Sequence, residues 1–323
     1  MRCIDKLIKG ILCFSIIIFS LTGCSKETTV VTEYEEASYD KNLFQGELFA
    51  ESLCVQNDNL ELPQYTTDMN LSAAGLFDVK QSKVYYAQNL HEQLYPASTT
   101  KVMTAYIALK YGTLTDMVTV SERAVDFTAD SQLCGLQAGD QLTLEDLLNG
   151  LLLYSGNDTA VAIAEHIGGS VEGFVDIMNS EAKQLGATNS HFVNPHGLHD
   201  VDHYTTAYDL YLIFNECLKN ESFIKIISEP SYSVNITNPA SGVRTQVWKA
   251  TNYYSSGEAS QPSNVKVIGG KTGTTDEAGS CVILMETDAS HNNYISIIMG
   301  APDKTILYSD MTALINALPI TAD

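Results

Sequence analysis

Three short stretches carry residue types that could do covalent chemistry together. Ser98-Thr99-Thr100-Lys101 sets a hydroxyl and an amine three residues apart. On a helix that spacing is close to one turn, so both side chains share a face. A serine hydroxyl is a weak nucleophile until a base takes its proton. Lysine can be that base only where burial or a second cation lowers its pKa. Ser155-Gly156-Asn157 supplies a second hydroxyl and an amide. Lys271-Thr272-Gly273-Thr274 supplies a cation and a hydroxyl that can hold a carboxylate, and a glycine that lets a backbone come close. A strand edge carrying it could also pair with an extended peptide.

Each stretch is weak alone. SxxK recurs at Ser180–Lys183 and Ser222–Lys225, where an exposed helix face explains it. SxN recurs at Ser233–Asn235 and Ser290–Asn292, and Ser, Gly and Asn are ordinary turn and cap residues. KTG occurs once, and a glycine-rich hairpin turn would account for it. Other chemistry finds less support. No Walker loop, GxGxxG or HExxH is present, which gives no cofactor motif. His191, His196, His199 and His203, with Asp200 and Asp202, match no standard zinc spacing, so no metal is expected.

The elements that must position these residues follow from periodicity. Residues 70–90 give two β-rich runs around Lys80-Gln81-Ser82, a hairpin. Thr99–Leu109 has helical spacing and ends at Gly112. The stretch 121–227 reads as mostly helical, most clearly at Leu144–Tyr154, Asp158–Ile167, Val171–Leu185 and Thr206–Leu218. From Ser231 the runs Tyr232–Thr237, Val243–Lys249, Val265–Ile268, Ser280–Glu286 and Tyr294–Met299 read as strands. Thr305–Leu318 reads as a last helix, with Pro319 just past it. This order predicts an α+β fold. One antiparallel sheet is fed from both chain ends, and a helical subdomain is inserted between them.

Composition narrows the class. The chain has 323 residues, 18 Lys or Arg against 39 Asp or Glu, and a formal charge of −21. That excess argues against nucleic-acid binding, which needs a basic footprint. A hydrophobic content of 45% with a single long apolar run excludes a disordered chain, a fibre and a multi-span membrane protein. Seven cysteines are too few for a disulfide scaffold, and Cys54, Cys134, Cys217 and Cys281 are expected to be mostly free. At the start, Arg2, Lys6 and Lys9 precede the apolar run Ile11–Leu21, too short to span a bilayer. Leu21-Thr22-Gly23-Cys24 resembles a bacterial lipobox, in which the cysteine is lipidated and becomes the new N-terminus. Residues 1–23 are thus read as a lipoprotein signal peptide, Cys24 and the polar stretch to 65 as a lipidated, acidic tether, and 66–323 as the folded domain.

The order SxxK, SxN, KTG comes with further company. Tyr95-Pro96-Ala97 precedes Ser98, and Leu151–Tyr154 precedes Ser155. Asn194-Pro195-His196-Gly197-Leu198, His203-Tyr204-Thr205-Thr206-Ala207 and Ala278-Gly279 complete the set. With these the chain resembles the serine D-alanyl-D-alanine carboxypeptidases of peptidase family S11, the low-molecular-mass penicillin-binding proteins. The likeness covers residues 70 to 320 or so. It implies the penicillin-binding/β-lactamase-like fold and removal of the terminal D-Ala from peptidoglycan stem peptides. Ser98 would form the acyl-enzyme, Lys101 would accept its proton, and Ser155 would relay a proton to the leaving amine. Asn157 would bind the substrate amide. Lys271 and Thr272 would bind the terminal carboxylate, with Gly273 and Thr274 lining the substrate strand. Lys271 would also help keep Lys101 neutral. The N–H groups of Ser98 and Thr274 would form the oxyanion hole. β-Lactams would acylate the same serine. With Cys24 lipidated, the enzyme would be an extracytoplasmic lipoprotein of the bacterial cell membrane. Rival readings are a β-lactamase or D-amino-acid peptidase on the same fold, with Glu165, Glu172 or Glu181 as the carboxylates available by type. A non-catalytic penicillin-sensing lipoprotein is the other.

Overall fold

The computed structural model describes residues 52–66, 71–128 and 130–319. The expected signal peptide, Cys24 and the tether up to residue 51 lie outside the described residues. A compact unit begins at Ser52, ahead of the expected residue 66. Cys54 is fully buried, its N–H donating to Tyr211 Oη at 3.0 Å. Leu60 pairs with Ala87 through two backbone hydrogen bonds, and Leu62 and Tyr65 enter the core. The apolar residues of 52–65 follow no helical or strand period, which is why the stretch reads as tether.

The main sheet has five antiparallel strands: β1 (Ala73–Asp78), β2 (Lys83–Gln88), β7 (Lys266–Thr275), β8 (Gly279–Thr287) and β9 (Asn293–Ala301), in the order β2-β1-β9-β8-β7. Strands from both chain ends share it, as the element order predicts. The two faces of β1, β8 and β9 are both buried, so these strands read as nearly continuous apolar runs. One face packs Leu76, Leu284 and Ile298 under the last helix, α7 (Lys304–Asn316), through Leu307, Met311 and Leu314. The other packs Phe77, Ile283 and Ile297 against the inserted region, where Phe77 stacks on Tyr211 at 4.3 Å.

The inserted region holds α1 (Lys101–Tyr111), α2 (Leu144–Asn149), α3 (Asn157–Gly168), α4 (Val171–Gln184), α5 (Ala207–Cys217) and α6 (Glu221–Ser228). It also holds a second sheet that the sequence reading did not separate. β4 (Gln141–Thr143) lies inside the stretch read as helical, and β3 (Met117–Thr119) lies just ahead of it. They join β5 (Ser231–Asn238) and β6 (Gly242–Lys249) in the order β3-β4-β5-β6. β5 and β6 therefore belong to this small sheet and not to the main one. Four cysteines are free and buried, at 54, 134, 217 and 281, as expected. Among the described residues no helix is long and apolar enough to cross a membrane.

Candidate active site

The nucleophile candidate sits on a 3-10 turn, Ala97–Thr100, that runs straight into α1. The turn is entered through Ala97 at φ +47°, a conformation an alanine rarely adopts. Hydrogen bonds over-determine it. Thr99 Oγ1 donates to Pro96 O at 2.6 Å, and Thr100 Oγ1 donates to Ala97 O at 2.8 Å. Thr100 Oγ1 also lies 2.8 Å from His203 Nε2, while His203 Nδ1 accepts from Val193 N–H. Buried strain so held is typical of a functional turn.

Lys101 opens α1 and is completely buried. Its Nζ lies 2.9 Å from Ser98 Oγ, 2.8 Å from Asn157 Oδ1 and 2.7 Å from His196 O. The amide oxygen and the carbonyl can only accept. A neutral amine therefore spends its two N–H bonds on them and turns its lone pair to the Ser98 hydroxyl. Electrostatics favour that neutral state. Burial, then the charge of Lys271, holds Lys101 well below the ordinary lysine range.

Ser155 and Asn157 stand at a break between helices. α2 continues into a π turn, Gly150–Tyr154, which Ser155 ends in the left-handed region at φ 68°. α3 then starts at Asn157. Asp158 fixes the junction, its buried carboxylate accepting from the N–H groups of Cys134 at 2.9 Å and Leu136 at 3.1 Å. π turns recur at functional sites because they re-aim a side chain without ending a helix pair.

β7 forms the third wall as the edge strand of the main sheet. Lys271 is fully buried, its ammonium 2.9 Å from Ser155 Oγ and donating to Thr272 O at 2.7 Å. Burial, then Lys304, draws its pKa down to about 7. Thr272 Oγ1 meets Thr251 Oγ1 at 2.8 Å. Gly273 passes so close to the nucleophile turn that a Cβ there would stand 2.7 Å from Ser98 N. Ser98, Lys101, Ser155, Asn157, Lys271, Thr272, Gly273 and Thr274 thus converge on one cleft, although 173 positions separate Ser98 from Lys271. Lysine pairs with serine twice, on opposite walls.

Some partners had no signal in the sequence. The His196 carbonyl works through backbone, and Thr251 belongs to no motif. Asn157, expected to hold substrate, also holds Lys101. The three glutamates weighed for a water-activating role are engaged elsewhere. Glu165 accepts from Ser121 Oγ, Glu172 pairs with Arg123, and Glu181 accepts from Lys110, Tyr106 and Tyr111. His196 and His203 are both held neutral, mainly by burial, with pKa values of about 3 and about 4.

Comparison with known proteins agrees with this geometry. The family model for the D-alanyl-D-alanine carboxypeptidases, peptidase S11, matches residues 61–303. The D-alanyl-D-alanine carboxypeptidase DacA of Haemophilus influenzae is 35% identical over 235 residues, 70% of this chain and 56% of the relative. DacC of Escherichia coli is 33% identical over 280 residues, 83% of this chain and 65% of the relative. The chain thus spans between half and two thirds of the length of these curated relatives. Among solved structures, the DD-transpeptidase of Streptomyces K15 superposes with a TM-score of 0.71 at 27% identity, covering 78% of this chain and 98% of that one. The D-alanyl-D-alanine carboxypeptidase of Mycobacterium tuberculosis gives a TM-score of 0.70 at 26% identity, covering 80% and 95%. The fold is that of the penicillin-binding DD-peptidases, and with the family model matching most of its length the chain belongs to peptidase family S11, the D-alanyl-D-alanine carboxypeptidases.

Proposed function

We propose that the protein is a serine carboxypeptidase that removes the terminal D-alanine from peptidoglycan stem peptides ending in D-Ala-D-Ala, and that β-lactams acylate the same serine. The observation that carries this is the buried Lys101 amine, its two N–H bonds committed to Asn157 Oδ1 and His196 O and its third side facing Ser98 Oγ. Lys101 takes the Ser98 proton as the oxygen attacks the carbonyl between the two D-alanines. The N–H groups of Ser98 and Thr274 stabilise the oxyanion. Ser155, hydrogen-bonded to Lys271, relays the proton that Lys101 took to the leaving D-alanine nitrogen, the C–N bond breaks, and Lys101 is neutral again to take a proton from water. Water then attacks the ester, releasing the shortened peptide and restoring the Ser98 hydroxyl. Lys271 and Thr272 hold the terminal carboxylate, and Asn157 keeps its NH2 for the substrate amide.

Brief exposure to benzylpenicillin followed by mass spectrometry tests the assignment. One covalent adduct on the peptide carrying Ser98 is expected, and none in Ser98→Ala. An adduct on another residue, or none in the unmodified protein, would overturn it.

We further propose that Cys24 is lipidated, making this an extracytoplasmic lipoprotein held at the bacterial cell membrane. Small residues before Cys24 and the short apolar run before them support it. Labelled fatty acid should enter the intact chain, and Cys24→Ala should lose the label and leave the membrane fraction. Retention of label in that variant would rule Cys24 out.

A further inference from the structure

We infer that the cavity at the end of β7 receives the side chain of the residue immediately upstream of the two D-alanines, and that Glu277 there selects a side chain ending in an ammonium group. The inference rests on the proposed function and extends it to substrate choice.

The direction of the bound peptide follows from the proposed roles of the site residues. Its carboxylate lies at Lys271 and Thr272. Its reacting carbonyl lies level with Gly273 and Thr274, where β7 touches the Ser98 turn. A peptide so placed runs antiparallel to β7, whose outer edge has no strand neighbour in the sheet. The next residue upstream sits one strand step further on, about 3.3 Å. That brings it to Thr275 and the turn that follows, with Asp276 and Glu277 exposed.

A cavity of about 340 Å³ opens at this place, lined by Gln93, Tyr95, Val201, Tyr204, Glu277 and Ala278 among others. Tyr95 comes three residues before Ser98, so part of the wall is built on the segment that leads into the nucleophile turn. Its ring meets His199 edge-on at 4.6 Å, and His199 Nδ1 stands 3.9 Å from the Glu277 carboxylate. The Glu277 side chain is 45% exposed, and among the described residues no Lys or Arg pairs with it. The Tyr rings and Val201 can cover an aliphatic stem, while the carboxylate meets a cation at its tip. An anionic tip would be repelled there, and a neutral tip would leave the carboxylate unused.

Two synthetic peptides test this: Nα-acetyl-L-lysyl-D-alanyl-D-alanine and the same peptide acetylated on Nε as well. The backbones are identical and only the ammonium differs. The unmodified protein should cleave the free-amine peptide with a kcat/KM about fivefold higher, the size expected of a partly exposed ion pair. Glu277→Gln should bring the two values together. Equal kcat/KM values in the unmodified protein, or a preference that survives in Glu277→Gln, would overturn the inference. The first comparison needs no variant to fold. Failure of the underlying function looks different, because then neither peptide is cleaved and Ser98 carries no penicillin adduct.

Discussion

Replacing Lys101 by alanine should slow acylation by benzylpenicillin about a thousandfold while the protein stays folded, as expected for loss of a positioned base. The size of the effect comes from the lack of a substitute. His196 and His203 are close, but His203 spends both ring nitrogens on Thr100 and Val193. The His196 ring accepts from Leu198 N–H at 3.1 Å. Lys271 faces Ser155 on the opposite wall. Truncation leaves Asn157 Oδ1 and His196 O without their donor, and water admitted from the cleft can serve both. The Tm should therefore move by no more than about 4 °C, the shift of roughly 1 kcal/mol in a domain of this size. Lys101→Arg separates a base from a mere cation. Arginine keeps the charge but cannot give up its proton near neutral pH. It should be as slow as alanine. An arginine variant that acylates at even a tenth of the normal rate would show that Lys101 acts through charge, and the base assignment would fall. Stopped-flow measurement of adduct formation, with a thermal melt of each variant, reads both outcomes.

How much of this was legible in the sequence depends on the kind of interaction. The Ser98–Lys101 pairing is local, one helical turn apart, so its geometry could be written down from spacing. The meeting of Ser98, Ser155 and Lys271 is not local, and resemblance to a family carried it. The sheet fed from both ends followed from the order of elements. The second sheet did not, for a plain reason. β3 and β4 are three residues long, too short for a period of two to show. Yet β5 carried a usable sign. Its residues alternate between exposed and buried, whereas β8 is buried almost throughout. A strand wet along one whole face does not sit in the middle of a sheet covered on both faces. The His196 carbonyl could not have been named at all, because backbone acceptors have no residue code. What the sequence did hold there was Asn194-Pro195-His196-Gly197-Leu198, a stretch whose residues matter for the path of the chain.

Gly197→Ala should damage both stability and acylation, because the added methyl lands on the nucleophile turn. Gly197 has φ +87°, and a Cβ there would lie 1.9 Å from Ala97 O and 2.8 Å from Thr100 Oγ1. Neither neighbour can yield cheaply. Ala97 is already held at φ +47° and its carbonyl accepts from Thr100, while Thr100 is tied to His203. The added methyl must push the Ser98 turn one way or the His196 carbonyl the other. Either shift separates the serine from its base. A loss of about 3 kcal/mol or more is expected, from strain and overpacking together. That corresponds to a Tm lower by about 6 to 12 °C. Acylation should fall at least about a hundredfold, since misplacement by an ångström is enough to do so. Gly242→Ala is the matched control. Gly242 has the same φ of +87°, with nothing within 4 Å of the added atom. It lies at the start of β6, in the small sheet. Its variant bears only the left-handed backbone penalty, about 1 to 2 kcal/mol, and should acylate at the normal rate. The difference between the two variants isolates the clash at the nucleophile turn. If the two melt at the same temperature and acylate equally fast, the contact between Gly197 and Ala97 does not position Ser98.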